Sequence, residues 1–335
     1  MVDHSKENRR NTAFDEMATE LYECLTSYPR KLHTSLGYYS EGSNIFEEIS
    51  KLEEYYPPKV ERKLLYRSSQ SIIELTKPNC IIDLGCGNME KTQIILHEAV
   101  KKNEIKLYGC DIVSEILDKA ERNLRLFYNY RCEINTRVMS IDYMITNFYN
   151  KNICKLFTFL GSTYGNLSQG ERNSMLSELS KTLFFNDHFL IGIDLVKDRS
   201  IIEPAYNDSK GLTAKGVFEM LIALNEEFGG EFDLNSFQFD VRFEPEFRRA
   251  ASYLISKKTQ KIPISYFDIE LSLEEGEEIQ AEIYQKFVLS EVLEFIQSFG
   301  LRPVKIEVDD EIPYALLLFS GPKENVPTEG GAEGE

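Results

Sequence analysis

From Cys80 onward, apolar runs of strand length alternate with segments whose apolar residues recur at helical spacing. Cys80–Leu84 reads as a strand, Glu90–Val100 as a helix and Ile105–Cys110 as a strand. Ser114–Phe127 sets Ile116, Leu117, Ala120, Leu124 and Leu126 on a helical period. Cys132–Met139 and Leu156–Leu160 are further strands, and His188–Leu195 is another. Between the last two, Ser168–Phe185 reads as a helix opened by the capping box Ser168-Gln169-Gly170-Glu171. Strands alternating with helices predict an α/β fold built on a parallel sheet with both faces covered.

The alternation stops at Val196. Through Lys286 the chain is rich in Asp and Glu. It carries one long helical candidate, roughly Thr213–Phe228, and strand-like runs at Phe237–Phe243, Ala250–Lys257 and Tyr266–Leu271. A helix, Phe287–Phe299, then leads into the strands Pro303–Val308 and Tyr314–Phe319, joined by Asp309-Asp310-Glu311. This pattern predicts a sheet domain of residues 60–197 plus 286–321. A second, α+β domain of residues 1–59 plus 198–285 interrupts it. Residues 322–335, rich in Gly and Glu, are expected to form a disordered tail.

The first strand–turn–helix joint carries the first chemistry. Asp83 closes an apolar β-branched run and is followed by Gly85 and Gly87, which let a ligand approach the backbone closely. The next strand ends in Asp111, where an acid can accept both hydroxyls of a ribose. A dinucleotide fingerprint would continue to a third glycine. Glu90 stands there instead, an acid at a helix start that a diphosphate disfavours. S-adenosylmethionine has no phosphate and is cationic at sulfur and amine, so Asp83 suits it. Asp142 in Ile141-Asp142-Tyr143 can accept from an adenine amino group, or stand as a solvated loop acid.

The formal net charge of −17 argues against nucleic acid and anionic membranes as partners. No apolar stretch approaches the roughly 20 residues of a membrane span. Met1-Val2-Asp3-His4-Ser5-Lys6 lacks an apolar signal region, so a cytoplasmic protein is expected. The six cysteines form no Cys-x-x-Cys pair and the histidines are scattered, so no metal site and reduced thiols are expected.

Several stretches are more specific. They are Gly161-Ser162-Thr163-Tyr164-Gly165-Asn166-Leu167, Gly192-Ile193-Asp194-Leu195-Val196-Lys197-Asp198, and Tyr206-Asn207-Asp208-Ser209-Lys210-Gly211-Leu212-Thr213-Ala214. Phe46-Glu47-Glu48-Ile49, Leu52-Glu53-Glu54-Tyr55-Tyr56-Pro57, Leu224-Asn225-Glu226-Glu227-Phe228 and Ala281-Glu282-Ile283-Tyr284-Gln285-Lys286-Phe287 join them. With these the chain, from about Leu32 to Phe319, resembles the histidine-specific Nα-methyltransferases of ergothioneine biosynthesis. Fungal tryptophan-derivative N-methyltransferases share that family.

The resemblance implies a Rossmann-like class I methyltransferase sheet with an inserted α+β substrate-binding domain, and an active site in the cleft between them. It implies that Asn166 and Tyr206 hold the amino acid's carboxylate, that Tyr56 lines the pocket, and that Tyr39 lies near the amine, where its hydroxyl or an ordered water can relay the amine's proton. Glu282 would bond the distal side chain. Gly85 and Lys91 would lie in the cofactor loop, Asp111 at the ribose, Asp142 and Tyr143 at the adenine, and Gly161 on the wall between the ligands. The product of the cofactor would be S-adenosylhomocysteine. The expected partner is a small amino-acid substrate and the expected state a monomer.

Two departures fall in the substrate half. Where the family has Ser two residues after the Glu, this chain has Tyr284, and where it has Phe-Asn-x-Asn, this chain reads Gly216-Val217-Phe218-Glu219. The implied activity is N-methylation of a free amino acid by direct displacement. Histidine leads as acceptor, and tryptophan, tyrosine or a derivative is the rival that Tyr284 supports. A non-catalytic S-adenosylmethionine-binding protein is the alternative from another class.

Overall fold

The structure is a computed structural model that describes residues 4–39, 41–128, 130–150 and 152–322. The predicted tail, but for Pro322, lies outside them. Ahead of the sheet come α1 (His4–Thr26), a 3-10 turn (Thr34–Tyr38), α2 (Gly42–Ile49) and α3 (Pro57–Thr76). The alternating part follows as β1 (Cys80–Leu84), α4 (Glu90–Ala99), β2 (Ile105–Asp111), α5 (Ser114–Tyr128) and β3 (Cys132–Val138). It continues as α6 (Ile141–Thr146), β4 (Lys155–Phe159), a 3-10 turn (Thr163–Gly165), α7 (Gln169–Thr182) and β5 (His188–Asp194).

After β5 come α8 (Arg199–Tyr206), α9 (Leu212–Phe228), β6 (Phe237–Glu244), β7 (Arg249–Ser256), β8 (Gln260–Ile264), β9 (Ile269–Leu273) and β10 (Glu278–Gln285). The chain ends with α10 (Leu289–Ser298), β11 (Arg302–Val308) and β12 (Tyr314–Ser320).

Seven strands form one sheet in the order β11-β12-β5-β4-β1-β2-β3. β12 runs antiparallel to both its neighbours, and the remaining pairs are parallel. This is the class I methyltransferase topology expected from the sequence. Burial explains why the strands were legible. β1, β4 and β5 are buried at every residue and read as unbroken apolar runs, whereas edge strand β3 begins buried, exposed, buried. Ile81, Leu107, Leu156 and Leu190 pack on one face with α3, α4 and α5. Ile82, Phe157, Phe189 and Leu317 pack on the other with α6, α7 and α10. The capping box forms: Glu171 N–H donates to Ser168 Oγ (3.3 Å), and Ser168 N–H to Glu171 Oε2 (2.6 Å).

The residues between β5 and α10 build a three-stranded antiparallel sheet, β10-β7-β6, and the hairpin β8-β9. Their core joins Val217, Leu221, Leu254 and Ile279 to Met17, Leu21, Leu32 and Leu36 from the N-terminal segment. The structure departs from the sequence reading at two places. The strand predicted to start at Tyr266 starts at Ile269, because Ser265–Phe267 is a 3-10 turn and Asp268 takes φ +52°. Asp142 lies in the first turn of helix α6, started by Ser140, rather than in a loop. The outgoing and returning chains run side by side: Phe287 N–H donates to Asp194 O (3.0 Å) and Val196 N–H to Phe287 O (2.9 Å). No helix among the described residues is long and apolar enough to cross a membrane.

Candidate active site

The strand order reverses between β1 and β4, and an open α/β sheet binds ligands beyond the carboxyl ends of its strands at such a point. On the β1 side, Gly85 (φ +59°) and Gly87 (φ +51°) take the left-handed turn that side chains resist. The turn is tied to the end of β2, since Gly87 N–H donates to Asp111 Oδ2 (2.9 Å) and Val113 N–H to Asp111 Oδ1 (3.2 Å). Burial raises the Asp111 carboxyl, against those bonds. Asp83 is buried and accepts from the hydroxyls of Thr92 and Thr158 (2.7 Å for Thr158). Burial pushes its carboxyl up to about 6, with both hydroxyls pulling the other way. Glu90 turns outward and pairs with Arg62 (3.0 Å).

Lys91 and Gly161 meet at a residue that sequence reasoning passed over. Glu61, on α3, is 0% exposed. It accepts from Gly161 N–H (2.8 and 2.9 Å) and Tyr314 Oη (2.7 Å), and lies 3.3 Å from Lys91 Nζ. Gly192 makes room for it, since a Cβ there would collide with Glu61 and Tyr314. Asp142 and Tyr143 stand apart from this network. Asp142 accepts from Ser174 Oγ (3.0 Å), and the Tyr143 side chain is exposed. Their helix still adjoins the glycine turn, because Ile141 borders Gly85.

On the β4–β5 side the inserted elements close in. Tyr56 stands at the N-cap of α3, ahead of Pro57, which is preset for a helix start. Tyr206 ends α8. Glu282, Tyr284 and Lys286 follow one another at alternate positions along and just past β10, so they share one face. Asn166 follows the 3-10 turn after β4, and Gly165 beside it packs against the backbone of Gln285. The Asn166 side chain makes no hydrogen bond among the described residues.

The hydroxyls converge on an ionic cluster. Lys286 Nζ donates to Tyr206 Oη (2.7 Å) and to Asp194 Oδ2 (2.7 Å). Tyr56 Oη donates to Asp194 Oδ2 (2.8 Å), and Lys197 Nζ to Asp194 Oδ1 and to Tyr56 Oη (3.1 Å). Burial pushes the Lys197 ammonium down to about 8; Asp194 opposes this and Lys286, a like charge, adds to it. Burial also lowers Lys286, against the pull of Asp194.

At the other end the Tyr284 hydroxyl donates to Glu282 Oε2, and burial raises the Glu282 carboxyl against that bond. Gly37, in the turn that leads to Tyr39, borders Glu282 Oε1. Tyr39 itself packs against the inserted core. Lys91 and Gly161 thus gather at Glu61, and Tyr56, Tyr206, Glu282 and Tyr284 around Asp194 and β10, while Asp83, Gly85, Gly87 and Asp111 form the glycine turn and Asp142 and Tyr143 stand apart. Of the residues missed, Asp194 and Lys197 lie in the Gly192–Asp198 stretch and Lys286 in the Ala281–Phe287 stretch, where the period of two from Glu282 leads to it. Glu61 lies in no such stretch.

The glycine turn and its acids suit a cationic nucleoside, and the comparisons agree. A model of the family described as histidine-specific methyltransferase, SAM-dependent, matches residues 17–320. The chain is 29% identical over 310 residues to the histidine N-alpha-methyltransferase of Mycolicibacterium smegmatis, covering 92% of this chain and 96% of that protein. It is 28% identical over 300 residues to that of Mycobacterium tuberculosis, covering 89% and 93%. It is 29% identical over 240 residues to ergothioneine biosynthesis protein 1 of Schizosaccharomyces pombe, covering 68% of this chain and 31% of that one. The chain belongs to the histidine-specific, S-adenosylmethionine-dependent methyltransferase family.

Proposed function

We propose that this enzyme methylates the α-amine of a free amino acid, with histidine as the first acceptor. The observation that carries the reading is the two-ended site. Hydroxyls backed by lysines stand at one end, Glu282 with Tyr284 at the other, and Asn166 beside β10. In this reading residues 60–197 plus 286–321 hold the cofactor, and residues 1–59 plus 198–285 hold the substrate.

Gly85, Gly87 and Lys91 form the cofactor loop. Asp83 contributes a negative field, Asp111 takes the ribose, and Asp142 and Tyr143 border the adenine. Gly161 forms the wall between the ligands. Asn166 and Tyr206 hold the carboxylate while Tyr56 lines the pocket. Glu282 and Tyr284 meet the distal side chain. Bound there, S-adenosylmethionine supplies a methyl already activated for direct displacement by a neutral amine. The protein's task is alignment and removal of one proton from the amine, which the Tyr39 hydroxyl relays. We place the enzyme in the cytoplasm as a monomer.

The Tyr206–Tyr284 pair supports a second reading, in which a larger aromatic amino acid such as tryptophan or tyrosine is the acceptor. Incubation with methyl-labelled S-adenosylmethionine and each common amino acid separates the two. Histidine is expected to be labelled. Product from an aromatic amino acid alone would transfer the proposal to the second reading. Binding of the cofactor with no acceptor labelled would point to a non-catalytic binder.

A further inference from the structure

In the Asp194 cluster two cations share one anion. Lys197 and Lys286 both donate to the Asp194 carboxylate, and all three side chains are 1% exposed. Among the described residues neither lysine pairs with a second carboxylate. One positive charge is therefore left over in a place closed to water. An uncompensated buried charge is costly unless something brings an anion to it.

The hydrogen bonds show where that charge is offered. Asp194 can only accept, so the Tyr56 proton is committed to it. Tyr206 accepts from Lys286, and its own proton has no acceptor among the described residues. A phenol that accepts from an ammonium becomes a stronger donor. Tyr206 is 3% exposed and stacks on Tyr284, whose hydroxyl donates to Glu282. The spare charge and the spare proton thus meet at the Tyr206 hydroxyl.

We infer that Lys286 and Lys197 are positioning residues that supply the positive charge for the acceptor's carboxylate, delivered through the Tyr206 hydroxyl, with Asp194 holding both lysines in place. The inference rests on the proposed amino-acid acceptor. It assigns the demand for a carboxylate to residues that do not touch the substrate. Their position is structural as well, for Asp194 and Lys286 lie where the chain leaves the large sheet and returns to it.

The test compares histidine with histidinamide, which lacks the anionic carboxylate, in the full-length enzyme and in Lys286→Met, Lys197→Met and Lys286→Arg. Wild type is expected to prefer histidine strongly. Lys286→Met is expected to lower kcat/KM for histidine on the order of 10- to 100-fold, mostly through KM, as loss of a buried charge partner does. The preference over histidinamide falls with it, while S-adenosylhomocysteine affinity stays within about twofold, since that site is elsewhere. Lys197→Met acts in the same direction, and Lys286→Arg restores part of the preference. Equal losses for both acceptors would reduce the lysines to a structural role and overturn the inference alone. If Lys286→Met does not fold, the same ratio in the other two variants decides. Failure of wild type to methylate any free amino acid would instead overturn the acceptor assignment and this inference with it.

Discussion

The ring of Tyr284 lies against that of Tyr206, with centroids 3.9 Å apart and planes 17° from parallel. The Tyr284 hydroxyl meanwhile donates to Glu282. One side chain therefore couples both ends of the candidate substrate site. Burial raises the Glu282 carboxyl and the Tyr284 bond opposes it. Tyr284→Phe keeps the ring and removes the opposition, so Glu282 should hold its proton to higher pH. An acceptor that gives an N–H to the ionised carboxylate should then lose roughly tenfold in kcat/KM near neutrality, the scale of a charged hydrogen bond. The loss should shrink as pH rises. A loss independent of pH would assign Tyr284 to packing.

The Asn166 side chain makes no hydrogen bond among the described residues, and it stands beside β10. Asn166→Ala is expected to raise KM for the amino acid by about tenfold, the scale of a lost hydrogen bond to a charged group. S-adenosylhomocysteine affinity, measured by calorimetry, should change little. A collapse of cofactor affinity would move Asn166 out of the carboxylate site.

The sheet was legible because its central strands are buried on both faces, so their apolar runs stand out. The acids that end β1 and β2, Asp83 and Asp111, were legible for the same reason: each interrupts such a run. β10 was hidden by its own chemistry. Glu278, Gln280, Glu282 and Tyr284 alternate with Ile279 and Ile283, and a polar face bonded to other side chains reads like one turned to water. Lys286 was passed over with it. Glu61 sits among Lys59, Arg62 and Lys63 and reads as a solvated helix face. Only the approach of Gly161, 100 residues away, and of Tyr314 buries it. Pairing across that separation leaves no local pattern.

Glu61 holds three donors from three elements. Glu61→Ala would leave a lysine, a phenol and a backbone N–H in a site with little water. The expected destabilisation is about 3 kcal/mol, as for other broken buried charge networks. A shift in the urea midpoint with unchanged slope would report it. A change within about 0.5 kcal/mol, the range of ordinary surface substitutions, would mean the network reforms around water.

Asp83 gives a pH-dependent prediction. Its folded carboxyl titrates at about 6, above the ordinary value of 3.8, because it is buried. Between these values the folded state holds the proton more tightly than the unfolded chain. The stabilisation is full below 3.8 and is lost as pH rises through about 6. Asp83→Asn should therefore raise the melting temperature of the cofactor-free protein relative to wild type above that window, but not below it. Affinity for the cationic cofactor should fall at the same time. Higher melting temperature with unchanged affinity would remove Asp83 from the cofactor site.

Lys197 titrates in the opposite sense. Its folded ammonium is pushed down from 10.5 to about 8. Its charge burdens the fold below about 8, and that burden is relieved as pH rises toward 10.5. A carboxylate brought to the cluster favours the charged form, so binding above about 8 should take up a proton. N,N,N-trimethylhistidine carries the carboxylate without a titrating amine. Its binding to the enzyme loaded with S-adenosylhomocysteine can be followed by calorimetry at about pH 8.5, in two buffers of different ionisation enthalpy. A fraction of a proton per site is expected, and affinity should weaken as pH rises further. Lys197→Met should abolish the uptake. An observed heat independent of buffer in wild type would mean that Lys197 keeps one protonation state, and that the ligand's carboxylate does not feel it.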